Sequence, residues 1–88
     1  MDLGLKDKIA VVTGASKGIG LAVTEHLAAE GALVVAGARS SSPELDRLVA
    51  GGRVAFVASD LSQPEAPAAL VRRCVELHGG IDLLCNNV

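Results

Sequence analysis

Gly14, Gly18 and Gly20 follow directly on the apolar run "IAVVT", and Lys17 stands among them. Glycines so placed let a main chain approach an anion with no Cβ in the way. A helix starting there adds unpaired N–H donors and the positive end of its dipole. Pyrophosphate has the charge and reach to use both. In that reading Gly14 permits the tight exit from a strand, Gly18 admits the phosphates, and Gly20 lets the helix pack closely on the sheet. No Gly-Lys-Ser/Thr closes the stretch, which sets it apart from a Walker-type loop. On spacing alone a mobile turn is an alternative, and the surrounding elements decide between the two.

Those elements alternate. "KIAVVTG" (8–14), "ALVVAGA" (32–38), "RVAFVAS" (53–59) and "IDLLCNN" (81–87) are short apolar runs, expected as strands buried on both faces. Between the first two, Ile19, Val23 and Leu27 recur every four positions up to Glu30, and Gly31 stops the helix they imply. Ser42-Pro43 reads as an N-cap and first helical residue, opening a short helix to about Ala50. Ser62-Gln63-Pro64-Glu65 fits a capping box for the longest helix. Leu70, Val71, Cys74 and Val75 would be its buried stripe, with Pro67 near the first turn and Gly79-Gly80 at the end. Strands this apolar need helices on both faces, so the sheet is expected to be parallel. Right-handed crossovers then give a Rossmann-type α/β/α unit with strand order 3-2-1-4, the mononucleotide-binding half of a doubly wound fold. The whole of 1–88 reads as one partial domain, and the glycine stretch falls where its first strand meets its first helix.

Thr13-Gly14-Ala15-Ser16-Lys17-Gly18-Ile19-Gly20 resembles the TGxxxGxG signature of the short-chain dehydrogenases/reductases. Asp60-Leu61 is similar to that family's Asp-hydrophobic pair, and Asn86-Asn87 to the start of its NNAG motif, with Val88 where Ala is usual. The resemblance implies that Gly14, Ser16, Lys17, Gly18, Ile19 and Gly20 line the phosphates and adenosine ribose of a nicotinamide cofactor. It implies that Asp60 accepts from the adenine amino group with help from the Leu61 backbone. Asn87 would lie beside the adenosine side, and Asn86 would mainly tie neighbouring strands. Asp82 matches a position often acidic in the family, and is read here as a polar group at a strand start.

An NAD-preferring fold of this kind places Asp or Glu at the end of the second strand, against the ribose hydroxyls. Here Ala38 holds that place, followed by Arg39 and Ser40. A guanidinium can grip a 2′-phosphate with two N–H bonds where a carboxylate would repel it. Lys17 could reach the same phosphate and Ser40 could add a hydroxyl. The expected cofactor is therefore NADP(H), with NAD(H) the alternative.

Other residue types point elsewhere or nowhere. The formal charge of −2 provides no basic stripe for nucleic acid or an anionic membrane. Cys74 and Cys85 lack zinc or CxxC spacing and are expected as ordinary buried thiols in a reducing cytosol. His26 and His78 have no triad or metal partner in sequence, and no GxSxG elbow surrounds Ser16. The family's hydride-transfer chemistry relies on Ser, Tyr and Lys with the pattern YxxxK. This sequence has no tyrosine, so no catalytic residue is expected here. The chain is accordingly expected to be the N-terminal portion of a cytoplasmic reductase or dehydrogenase that is often oligomeric and acts on a small carbonyl or alcohol. The alternative is a non-catalytic dinucleotide-binding or interaction module.

Overall fold

The structure is a computed structural model that describes residues 4–87; Val88, named above, lies outside them. Strands β1 (Ile9–Thr13), β2 (Leu33–Ala38), β3 (Val54–Ala58) and β4 (Leu83–Cys85) alternate with helices α1 (Gly18–Ala29), α2 (Pro43–Ala50) and α3 (Ala66–His78). All strand pairs are parallel, in the order β3-β2-β1-β4. Val11 lies opposite Val35 on one side and Leu84 on the other.

Continuous apolar runs become strands here because both faces of the sheet are covered. Ala10, Val12, Val34, Ala36 and Val54 point to one face, where Leu27 of α1 and Leu45 of α2 meet them. The alternate residues Val11 and Val35 point to the other, against Leu70 and Cys74 of α3. The period-2 alternation of side chains divides one apolar run between two cores.

Helix ends follow local chemistry. Ser42 caps α2, its hydroxyl accepting from the Leu45 N–H at 3.2 Å. At the end of α1, Ala32 N–H donates to Leu27 O and Gly31 N–H to Ala28 O, both at 3.0 Å. That paired pattern closes the last turn and sends the chain straight into β2.

Four expectations need correcting. The capping box before α3 does not form: the N-cap is Glu65 with no side-chain bond, so Ser62 lies three residues ahead of the N-cap, in the turn after β3, where its hydroxyl donates to Asp60 Oδ1. On α3, Ala66, Leu70 and Cys74 are buried while Val75 is exposed. One sheet face under this helix accommodates a narrow stripe, and Val75 falls beyond its edge. Ile19 does not join Leu27 on the inner face of α1 but is 73% exposed; Gly20 and Thr24 take the inner positions. Finally, β4 spans only residues 83–85, and its Cys85 is half-buried. Its pairing with β1 stops at Cys85, opposite Val12 and one residue before β1 ends, and Leu83 and Leu84, on opposite faces of β4, are both exposed.

Candidate functional site: a glycine-lined cleft at the carboxyl edge

Parallel strands deliver all four carboxyl ends to one edge of the sheet. The strand order reverses direction between β1 and β4, so the loops leaving them diverge and open a crevice. A cavity of about 520 Å³ lies there, lined by Gly14, Lys17, Gly18, Ile19, Leu61, Ser62 and Asn87. Among the residues singled out in sequence, Gly14, Lys17, Gly18, Ile19, Leu61 and Asn87 thus meet in one place. Ile19 faces this cleft, which accounts for its exposure on α1.

The floor of the cleft is shaped by close approach. Gly14 has φ +63°, and a Cβ there would stand 2.6 Å from the Asn87 carbonyl oxygen. Gly20 is buried, and a Cβ on it would collide with the carbonyl of Gly14. Gly20 therefore holds the start of α1 against the loop, a closer constraint than helix-to-sheet packing. The first turn of α1 has neither a side-chain cap nor an acidic residue. By contrast, α2 carries Ser42, Glu44 and Asp46 at its start. The positive end of α1 thus faces the cleft without an internal counter-charge. Ser16 lies half-buried in the loop behind Lys17 and does not line the cavity.

Thr13 organises this edge, although sequence inspection treats it only as part of the motif. Its hydroxyl accepts from the Asn87 N–H at 2.8 Å. Its one proton is in reach of Asn86 Oδ1 at 3.0 Å and of the Cys85 and Asn87 carbonyls at 3.4 Å each. The Asn87 side chain donates to Gly14 O at 3.4 Å. Asn86 and Asn87 are thereby tied to the end of β1, Asn87 at the cleft and Asn86 outside its lining. Thr13→Val keeps the volume of this buried residue but leaves the Asn87 N–H unpaired. It is expected to cost about 1–3 kcal/mol, measured as a lowered midpoint of chemical unfolding.

Arg39, Ser40 and Asp60 occupy the rim beyond the cavity, on the loops after β2 and β3. Arg39 donates to Asp60 Oδ1 at 3.1 Å. Ser62 donates to the same oxygen twice, from its hydroxyl at 2.6 Å and its backbone N–H at 3.0 Å. Ser40 is exposed beside Arg39. Ser62 is the lining residue missed in sequence; an Asp followed two positions later by Ser is a turn signal that could have revealed it. The Ser62 bonds first, then the Arg39 guanidinium, hold the Asp60 carboxyl far below its ordinary value of 3.8. At the other end of the sheet, Asp82 accepts from the Ile9 N–H at 2.8 Å. Burial, followed by the Asp82 charge, raises the pKa of the Cys74 thiol. Among the described residues, no group of three or more His, Cys, Asp or Glu could hold a metal.

Asp7 is also depressed below 3.8, chiefly by its hydrogen bond from Arg53 at 2.7 Å. For both carboxylates the folded chain binds its proton less readily than the unfolded one. Their stabilisation is complete above about pH 4 and is lost as pH falls below it. Melting midpoints are expected to be unaffected by these two groups from pH 8 to pH 5 and to drop below pH 4. Asp60→Asn should flatten part of that drop.

A parallel 3-2-1-4 sheet with a glycine-lined crevice at its switch point defines a Rossmann-type dinucleotide-binding unit. The family model described as short chain dehydrogenase matches residues 8–88, and the chain belongs to that family. It is 44% identical to an uncharacterised oxidoreductase of Methylorubrum extorquens, over 94% of this chain and 36% of that protein. It is 39% identical to the 3-oxoacyl-[acyl-carrier-protein] reductase FabG of Vibrio cholerae, over 97% of this chain and 35% of that one. Among solved structures, L-sorbose reductase from Gluconobacter frateurii, complexed with NADPH and L-sorbose, superposes with a TM-score of 0.84. It is 41% identical, and the match covers all of this chain and 35% of the reductase. The chain spans about a third of the length of the curated relatives it matches. Among the described residues, no helix is long and apolar enough to cross a membrane.

Proposed function

We propose that the chain provides the NADP(H)-binding portion of an oxidoreductase that interconverts a small carbonyl compound and its alcohol. The observation that carries this reading is the charge at the adenosine end. Ala38 stands where a carboxylate would accept the ribose hydroxyls, Arg39 follows it on the rim, and Lys17 lines the cleft. Two cations with no acidic residue at Ala38 suit a 2′-phosphate. The NADPH bound in the L-sorbose reductase structure is consistent with this choice.

The residues fit such a cofactor on their own chemistry. The uncapped first turn of α1 directs N–H donors to the pyrophosphate, and the close contact of Gly20 with Gly14 fixes the loop that carries them. Asp60 Oδ1 is engaged by three donors, while Oδ2 has no partner among the described residues and remains available to the adenine amino group. Asn87, held by Thr13, walls the side of the cleft opposite Leu61 and Ser62. When bound, the cofactor supplies the hydride; these residues bind and orient it.

The test is calorimetric titration of the full natural polypeptide with NADPH and NADH. One charge-assisted bond to the 2′-phosphate, about 1.5–3 kcal/mol, corresponds to roughly tenfold to hundredfold tighter binding of NADPH. Equal affinities would remove the NADP(H) assignment, and absence of binding to either would remove the cofactor role.

A further inference from the structure

Arg39 and Asp60 come from different crossovers, twenty-one positions apart in the chain. They are brought together because Ala38 lies opposite Ala58 in the β2–β3 ladder, which Ser59 N–H extends by bonding Ala38 O at 2.8 Å. The loops leaving the two strands therefore start side by side. Asp60 is itself fixed, since Ser62 grips its Oδ1 through both hydroxyl and backbone N–H. Arg39 is not otherwise constrained: its side chain is 78% exposed and has no other hydrogen bond among the described residues.

Building on the NADP(H) reading above, we propose that Asp60 is a positioning residue for Arg39 and that selectivity for the 2′-phosphate depends on this ion pair. An exposed pair of this kind contributes little to stability. Its consequence is geometric. A free arginine samples many rotamers, and each must be given up when the guanidinium grips a ligand. Asp60 narrows that range before the ligand arrives and uses one N–H of the five a guanidinium carries. The remaining donors can form the two-pronged contact a phosphate takes.

Two effects of removing the Asp60 charge oppose each other, which makes the test decisive. A carboxylate near the 2′-phosphate repels it, so charge alone predicts that Asp60→Asn strengthens the preference for NADPH. Positioning predicts the reverse. Loss of the adenine contact weakens NADPH and NADH alike and cancels in their ratio.

The experiment measures dissociation constants of both cofactors by calorimetry on the full natural polypeptide and on four variants. Asp60→Asn is expected to lower the NADPH-over-NADH preference about fivefold, the upper end of an exposed pair's worth. Ser62→Ala, which loosens the anchor and keeps its charge, should lower it less. Arg39→Ala should lower it most, and Asp60→Asn added to Arg39→Ala should lower it no further. A preference maintained or raised in Asp60→Asn, with Arg39→Ala still lowering it, overturns the positioning role alone. A preference undiminished in Arg39→Ala takes the 2′-phosphate contact away from Arg39 and overturns this proposal, whereas equal affinities of the unmutated polypeptide for the two cofactors overturn the NADP(H) reading itself.

Discussion

Gly20→Ala is expected to destabilise the protein by about 1–3 kcal/mol, the range of overpacked positions, and to weaken cofactor binding at least about tenfold. Helix propensity alone predicts the opposite, since alanine is favoured over glycine within a helix by about 1 kcal/mol. Sterics outweigh that gain. The new Cβ would collide with the Gly14 carbonyl oxygen, stand 2.7 Å from the carbonyl carbon and 3.0 Å from Asn87 Nδ2. Two of these obstacles are backbone, so no rotamer change relieves them. Either α1 moves away from the sheet or the loop moves away from α1. The second movement also pulls Gly14 off the Asn87 side chain and misdirects the N–H donors at the helix start. Gly80→Ala is the control, because a Cβ there meets nothing within 4 Å; its effect should stay within about 0.5 kcal/mol. A paired thermal melt and NADPH titration would check both. An unchanged melt for Gly20→Ala would mean that the loop and helix can separate freely.

Arg39→Ala is expected to leave the fold intact and to change which cofactor is bound. Its side chain is mostly exposed and its pair with Asp60 is a rim contact, so stability should move by less than about 0.5 kcal/mol. NADPH affinity should fall roughly tenfold to hundredfold, since one charge-assisted bond is worth about 1.5–3 kcal/mol. NADH affinity should barely change, because it has no 2′-phosphate to lose. Arg39→Lys should restore only part of the difference, an ammonium being a point charge without the planar fork. The remaining NADPH preference should weaken as salt rises, because the contact is exposed and screened. Equal losses for both cofactors in Arg39→Ala would place the guanidinium against the adenine and not the phosphate.

Much of the architecture is legible in the chain because each strand is buried on both faces and each helix on one. Runs such as "IAVVT" and "LVVAGA" carry too few polar residues for a half-solvated sheet. They predict parallel strands joined by right-handed crossovers, and the glycine stretch after the first strand points to the 3-2-1-4 order among those that handedness allows. The glycine stretch is legible for a related reason: its function is a backbone property, and few residues but glycine satisfy it. Helix signals failed where a residue type suited two local roles. Ser62 reads as a cap for α3, but the helix starts later with Glu65 at its N-cap, and Ser62 stays in the turn after β3, donating to Asp60 at 2.6 Å. Ile19 fits the apolar period of α1 as well as a cleft wall, and periodicity cannot tell an inward face from one turned to a ligand.

By itself, then, the sequence determined the order of elements, the parallel sheet and the glycine loop between β1 and α1, because these depend on neighbours in the chain and on the periods of strand and helix. Tertiary structure decided which distant groups share a hydrogen bond. Thr13 meets Asn86 and Asn87 only because β4 lies beside β1, and Arg39 meets Asp60 only because β2 and β3 end side by side. Side-chain partners of this kind follow from strand register and loop course, and a one-residue change in register would assign every such side chain to another neighbour.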